Sequence, residues 1–245
     1  MKFLILQHLS LEHPGILRDF WKDAGIAWDA VELDEGEEIP ANLAGYDAMV
    51  AMGGPMDVWE EDEHPWLKAE KAAIHNWVVE REKPFLGICL GHQLLAEAIG
   101  GTVGRMAVPE VGIMRIERTA AARNDALMRR LPAEIDGLQW HGAEVMTLPP
   151  GAEILATNRY SPVQAFRWKS NAYGFQYHVE LTATTVSDWA DVPAYKASLE
   201  KVMGADACPR LDRDAAAKMH AFNAAARKLN DGFLEMVRDK TRQVA

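Results

Sequence analysis

The sequence predicts an α/β protein built on an open, mostly parallel sheet that is flanked by helices. Over about the first hundred residues, short apolar runs alternate with stretches whose apolar residues recur at helical spacing, which is typical of a parallel sheet with crossover helices. Between residues 102 and 179 the pattern becomes rich in strands and turns, which predicts antiparallel additions to the sheet. From residue 183 onward helical spacing returns and predicts a helical C-terminal extension.

The elements of the first half follow from local patterns. Residues 3–6 form a continuous apolar run, as expected for a strand that is buried on both faces. The predicted strands are 3–6, 27–33, 46–52 and a run that starts at Pro84, and the predicted helices are 15–24, 66–80 and the segment after Cys89. His8 and His13 follow the first strand, at the edge where α/β sheets place ligand sites. Most histidines in loops are solvated, so neither is given a role.

The second half divides into a strand-rich part and a helical part. The predicted β segments are 102–116, 139–156 and a hairpin of 163–168 with 172–179, and the predicted helices are 184–203 and 212–239. We therefore expect one domain over residues 1–182, with residues 183–245 as a helical extension that packs on the same domain.

Composition narrows the class of protein. The chain has 36 acidic and 26 basic residues, a net charge of −10 and no basic cluster, which argues against a nucleic-acid-binding surface. No apolar run approaches the roughly 20 residues that span a bilayer, and the N-terminal run is too short for a signal peptide, so we expect no membrane association and a cytoplasmic location. The two cysteines, Cys89 and Cys208, form no CxxC pair, and no metal site or cofactor is predicted.

The segment around Cys89 predicts a nucleophile. An apolar run, the small-residue pattern Gly87-x-Cys89-x-Gly91 and a helical pattern follow one another, which predicts a strand, a tight turn and a helix. The turn holds the sulfur at the first turn of the helix, where unpaired N–H groups and the helix dipole favour a thiolate. The alternative is a buried cysteine that serves as a small apolar residue, but such a residue needs no flanking glycines.

The pattern His178-x-Glu180 predicts a partner for such a cysteine. On an extended strand the two side chains share a face, so the carboxylate can orient the imidazole and stabilise its charged form. A general base needs this arrangement. A metal site would require further ligands, and a structural hydrogen-bonded pair is the remaining alternative.

Two glycine-containing turns are candidate parts of a binding site. Gly53-Gly54-Pro55 ends the third predicted strand, where backbone N–H groups can approach a ligand closely, although a simple tight loop has the same pattern. Gln139-Trp140-His141-Gly142 is predicted to be a turn that ends in glycine, and it either lines a pocket or forms a packed corner.

Three motifs together resemble a known family. Gly-Ile-Cys-Leu-Gly-His-Gln at 87–93, Gly-Gly-Pro at 53–55 and His-x-Glu at 178–180 resemble the class I glutamine amidotransferases, the triad type found in the glutaminase part of GMP synthase. The resemblance covers residues 1–182. It implies that Cys89, His178 and Glu180 form a catalytic triad. It further implies an oxyanion hole from the Gly54 and Leu90 N–H groups, and substrate contacts from Gln93, Trp140, His141 and Gly142.

The resemblance implies hydrolysis of glutamine through a γ-glutamyl thioester, which releases ammonia and glutamate. The chain lacks an ATP-binding loop of the Gly-x-x-x-x-Gly-Lys-Ser/Thr kind, so a nitrogen acceptor is expected on a separate synthase subunit, if one exists. One alternative is a γ-glutamyl peptidase that needs no synthase. A second is a non-catalytic regulatory or binding module. The apolar stripe of the C-terminal helices fits burial against the sheet, a dimer contact or a docked partner.

Overall fold

The structure of the protein, a computed structural model, describes residues 1–244. Nine strands and six α-helices lie in this range. The strands are β1 (Lys2–Gln7), β2 (Ala27–Glu32), β3 (Ala48–Ala51), β4 (Phe85–Ile88), β5 (Thr102–Arg118), β6 (Glu134–Thr147), β7 (Ala152–Thr157), β8 (Ala165–Trp168) and β9 (Ala172–Phe175). The helices are α1 (Leu17–Asp23), α2 (Trp66–His75), α3 (Leu90–Ala98), α4 (Thr185–Ala190), α5 (Pro193–Met203) and α6 (Ala207–Val244).

The strands form one sheet in the order β2-β1-β3-β4-β9-β8-β7-β5-β6. Within residues 1–244, the four pairings from β2 to β9 are parallel and the four from β9 to β6 are antiparallel. The antiparallel additions are therefore as extensive as the parallel part. Strand β5 runs for 17 residues, because an irregularity in its pairing with β6 between Arg105 and Glu110 accommodates Pro109 without ending the strand.

Helices cover both faces of the sheet, which confirms the predicted α/β architecture. Phe3 and Ile5 of β1 face one core cluster, whereas Leu4 and Leu6 face another, as the two-residue period of a strand requires. Helices α1, α4, α5 and α6 supply side chains to the first cluster, and α2 and α3 supply the second. Continuous apolar runs in the sequence thus correspond to strands that are buried on both faces.

Two predicted local conformations are wrong. Residues 139–142 are not a turn, because they lie inside β6, where Trp140 pairs with Val111 and His141 pairs with Glu110. The second strand of the hairpin ends at Phe175. His178 and Glu180 are therefore not on a regular strand, contrary to the prediction that strand geometry places them on one face. A single pair of backbone hydrogen bonds to Leu138 holds the chain at His178 instead.

The C-terminal helices pack on the same face as α1. The predicted helix at 184–203 is divided into α4 and α5, since the ring of Pro193 disfavours helical geometry in the residue before it. In α6, Asn230 accepts a 2.9 Å hydrogen bond from the Trp21 indole, and Phe233 lies edge-on to Phe3. Residue 245 of the predicted extension lies outside the described range. No helix within residues 1–244 combines the length and apolarity needed to cross a membrane.

Candidate active site

Cys89 occupies the turn between β4 and α3 with a φ of 53°, a value that non-glycine residues seldom adopt. The two flanking glycines make this turn possible. A Cβ on Gly87 would lie 2.3 Å from the Gly91 carbonyl oxygen, and a Cβ on Gly91 would lie 2.1 Å from the Ala51 carbonyl oxygen. Only residues without side chains let β3, β4 and α3 approach so closely. A hydrogen bond from the Cys89 N–H to the Phe175 carbonyl, at 2.8 Å, also holds the turn against β9.

His178 and Glu180 lie side by side near Cys89, although neither residue is on a regular strand. Nδ1 of His178 lies 2.6 Å from Oε1 of Glu180, and the Val179 N–H donates to Oε2 of the same carboxylate at 2.9 Å. The indole of Trp189 lies edge-on to the imidazole, with ring centroids 4.7 Å apart. Both members of the pair are buried, so the orientation of the ring is fixed by its contacts.

The electrostatics of this group favour an imidazolium. Burial alone would lower the pKa of His178, but the Glu180 carboxylate and the nearby Cys89 sulfur raise that pKa well above its ordinary value. Burial would raise the pKa of Glu180, but the charge and hydrogen bond of His178 hold it below its ordinary value. The sulfur of Cys89 therefore lies beside a ring that carries a positive charge.

A cleft with a volume of about 130 Å³ opens above Cys89. Gly54 and Leu90, the predicted oxyanion-hole residues, line it together with the cysteine. Within residues 1–244 neither of their N–H groups donates to a backbone carbonyl, so both are available to a ligand. A Cβ on Gly54 would approach Met56, His8 and Leu90 to between 2.7 and 2.9 Å, so this position requires glycine.

The predicted substrate-contact residues also line the cleft. The side-chain N–H groups of Gln93 donate to the Ala143 carbonyl and the Gln176 amide oxygen, each at 3.1 Å, which ties α3 to β6. Trp140 and His141 lie in the cleft wall as consecutive residues of β6, and Gly142 follows them. These residues therefore line the cleft, but the backbone conformation predicted for 139–142 is wrong.

Part of the cleft comes from residues that the sequence analysis did not single out. Ala194, Tyr195 and Ser198 of α5 form one wall, and the Trp140 indole donates to the Ser198 hydroxyl at 2.9 Å. Gln176 also contacts the cysteine, with its amide nitrogen 3.7 Å from the sulfur. No local pattern could have revealed these contacts, because α5 has an ordinary amphipathic sequence. Cys208 lies in α6 and does not line the cleft.

Glu12 is a buried carboxylate in the loop after β1. Its Oε1 accepts a hydrogen bond from the Tyr195 hydroxyl, and its Oε2 has no hydrogen-bond partner among the described residues. Burial raises the pKa of Glu12 to about 7, although the nearby His178 acts in the opposite direction. The loop and α5 therefore share a contact whose charge depends on pH.

We expect Glu12→Gln to stabilise the protein more near pH 8 than near pH 5. The folded protein keeps the Glu12 proton up to about pH 7, whereas the unfolded chain releases it near its ordinary pKa of 4.5. The folded state thus binds more protons within this window, and its stability falls as the pH rises. Glutamine cannot ionise, so its advantage in unfolding free energy should grow by about 2 kcal/mol between the two pH values. Urea unfolding measures this, and an equal difference at both pH values would contradict it.

Comparisons with known proteins identify the family to which this chain is similar. The chain matches the model of the class I glutamine amidotransferase family over residues 17–188. It is 31% identical over 191 residues to the glutamine amidotransferase-like protein YfeJ of Salmonella typhimurium, over 76% of this chain and 78% of that protein. It is also 36% identical over 143 residues to a subunit of the glutamine-hydrolysing GMP synthase of Sulfurisphaera tokodaii, over 58% of this chain and 71% of that one.

Solved structures extend the similarity to the C-terminal helices. The crystal structure of a glutamine amidotransferase from Thermotoga maritima matches with a TM-score of 0.85 and 30% identity, over 97% of this chain and 98% of that one. The family model covers more than half of the chain, and its range includes the cysteine turn and the His-x-Glu segment. The chain therefore belongs to the class I glutamine amidotransferase family.

Proposed function

We propose that the protein is a cysteine-dependent amidohydrolase that cleaves the side-chain amide of glutamine and releases ammonia and glutamate. The observation that carries this proposal is the grouping of Cys89, held in a strained turn at a cleft, with a buried histidine that pairs with Glu180 and whose pKa the cysteine sulfur helps to raise. A histidine that serves only structure does not require a cysteine at positive φ beside it. Membership of the amidotransferase family makes glutamine the first substrate to consider.

In the proposed reaction, the Cys89 thiolate attacks the side-chain carbonyl carbon of glutamine. The carbonyl electrons move to oxygen, and the N–H groups of Gly54 and Leu90 stabilise the resulting oxyanion. His178 gives its proton to the leaving nitrogen, and ammonia departs as the γ-glutamyl thioester forms. The neutral imidazole then takes a proton from water, which attacks the thioester and releases glutamate. Glu180 keeps the ring oriented in both steps.

The cleft wall supports substrate binding by Gln93 and the segment 140–142. Both side-chain N–H groups of Gln93 already have protein acceptors, so its amide oxygen is free to accept a hydrogen bond from the substrate. Trp140, His141 and Gly142 present a strand backbone to the same space. We propose that residues 1–182 form the catalytic domain and that the helices after it close one side of the cleft.

A second candidate function is hydrolysis of larger γ-glutamyl amides. The cleft above Cys89 is open to solvent and not an enclosed cavity, so a leaving group larger than ammonia can extend out of it. For the first function, ammonia would pass to a separate synthase subunit, and the similarity to one component of a GMP synthase supports such a partner. The second function needs no such partner.

A steady-state assay of the isolated protein tests both functions and the non-catalytic alternative. Ammonia release is measured with glutamine, and amino-acid release is measured with a series of γ-glutamyl dipeptides. We expect turnover of glutamine with a kcat/KM at least equal to that for the dipeptides. Efficient dipeptide cleavage with little glutaminase activity would favour the peptidase, and no turnover of any γ-glutamyl amide would indicate a binding module.

A further inference from the structure

His8 is not the solvated loop residue expected from its sequence position. It directly follows β1, is completely buried and stacks on Trp66 with ring centroids 5.4 Å apart. Its Nδ1 lies 2.8 Å from the Gly53 carbonyl oxygen, and its Nε2 lies 3.0 Å from both carboxylate oxygens of Glu70. Glu70 belongs to α2 and is also completely buried.

The partners of His8 define its protonation. A carbonyl oxygen and a carboxylate can only accept, so the ring satisfies both when each of its nitrogens carries a proton. Burial alone would lower the pKa of His8, but Glu70 and the Gly53 carbonyl raise it above its ordinary value. The charged groups that face the ring are Glu70 from α2 and Glu12 from the loop after β1. His8 is therefore a buried imidazolium that contacts Glu70 and donates to one backbone carbonyl.

That carbonyl belongs to the peptide that carries the Gly54 N–H. A peptide unit is planar, and none of the peptide bonds described is cis, so the Gly53 C=O and the Gly54 N–H point in opposite directions from one rigid plane. Both residues that flank this plane are glycines, and without Cβ atoms the plane can rotate with little steric hindrance. A hydrogen bond to the carbonyl therefore selects the direction in which the N–H points.

We propose that His8 and Glu70 are positioning residues that hold the Gly54 N–H toward the cleft, where it serves the oxyanion. This proposal rests on the proposed function, because it assigns the pair to the tetrahedral intermediate of that reaction. Neither side chain lines the cleft, so they act through the Gly53–Gly54 peptide and not on the substrate. The charge on His8 strengthens its hydrogen bond to the carbonyl, and Glu70 maintains that charge.

Two double variants separate positioning from general structural support. His8→Leu/Glu70→Leu replaces the buried pair by apolar groups, a change that proteins often tolerate, whereas a single substitution would leave an unpaired buried charge. His8→Asn/Glu70→Leu differs only at residue 8, where the asparagine amide can again donate to the Gly53 carbonyl. Removing one oxyanion-hole donor commonly costs about 10²–10³ in kcat. The first variant still has the Gly54 N–H but no longer fixes its direction, so the loss should be smaller than for removal of the donor. We expect this variant to lose about 10- to 100-fold in kcat, with KM changed by less than about threefold.

The second variant should recover about tenfold or more of that loss. Alkylation of Cys89 by iodoacetamide forms no oxyanion, so its rate should be the same in the wild type and both variants. His75→Asn is the matched control, because His75 also contacts a backbone carbonyl at 2.8 Å, but at an exposed site on α2. This control should leave kcat unchanged.

The outcomes distinguish this inference from the proposed function. Wild-type kcat in both double variants would overturn the inference alone. A parallel loss of kcat and alkylation rate, with no recovery in the asparagine variant, would also overturn it in favour of a purely structural pair. A wild type that cleaves no γ-glutamyl amide would overturn the proposed function, and the inference with it.

Discussion

Replacing Cys89 with alanine is expected to lower kcat for glutamine by at least about 10⁴-fold, because no other thiol lines the cleft to form the thioester. Alanine keeps the Cβ and tolerates the same backbone as well as cysteine does, so the turn should keep its φ of 53°. The remaining hydrogen-bond donors of the cleft would still bind substrate. We therefore expect the loss to fall on kcat, with little change in the affinity for glutamine.

Cys208→Ala is the matched control for this experiment. Cys208 is the other free cysteine of the chain, lies in α6 and does not line the cleft. Its removal should leave kcat and KM at wild-type values. Glutaminase activity that survives in Cys89→Ala would exclude the thiol mechanism, whatever the substrate, and activity lost in Cys208→Ala would place the reactive thiol elsewhere.

Gly91→Ala is expected to destabilise the protein by more than about 3 kcal/mol, which is large for the addition of one methyl group. The new Cβ would lie 2.1 Å from the Ala51 carbonyl oxygen, so the conflict is with backbone and cannot be relieved by a side-chain rotation. Relief requires α3 to move away from β3. That movement would also displace the Gly91 N–H from the Met52 carbonyl, to which it now donates at 3.0 Å.

Urea unfolding measures this loss, and Gly45→Ala provides the control. A Cβ on Gly45 would have no heavy atom within 4 Å, and the φ of this residue is not positive, so the same chemical change should alter the unfolding free energy by about 0.5 kcal/mol or less. Equal effects at the two glycines would show that close contact between α3 and β3 is not required around Cys89.

The parallel half of the fold and the cysteine turn were predictable because their causes are local. An apolar run such as 3–6 has few alternatives to a buried strand, and the spacing Gly87-x-Cys89-x-Gly91 reflects contacts within a few residues of the turn. The hairpin at 163–179 was likewise predictable from its two apolar runs and the turn between them. The pairing of His178 with Glu180 was also correct, although for a reason that the backbone does not support.

The other parts of the fold and of the candidate site depend on contacts between segments that are distant in the sequence. His8 and Glu70 are 62 positions apart, and each looks like an ordinary polar residue until β1 and α2 are brought together. The wall formed by Tyr195 likewise requires α5 to pack beside the cleft. The segment 139–142 was assigned to a turn because of its glycine, but the long pairing with β5 overrides that local preference. Local patterns therefore identify the candidate catalytic residues better than the residues that contact them from distant segments.

The central claim is that Cys89 carries the γ-glutamyl group, and the most direct test is the intact mass of the protein during turnover. Wild-type protein is mixed with excess glutamine, quenched in acid within one turnover and measured by mass spectrometry. We expect a population heavier by one γ-glutamyl group, located on the peptide that contains Cys89 and absent from Cys89→Ala. Steady release of ammonia with no such adduct, or an adduct that persists in Cys89→Ala, would contradict the account.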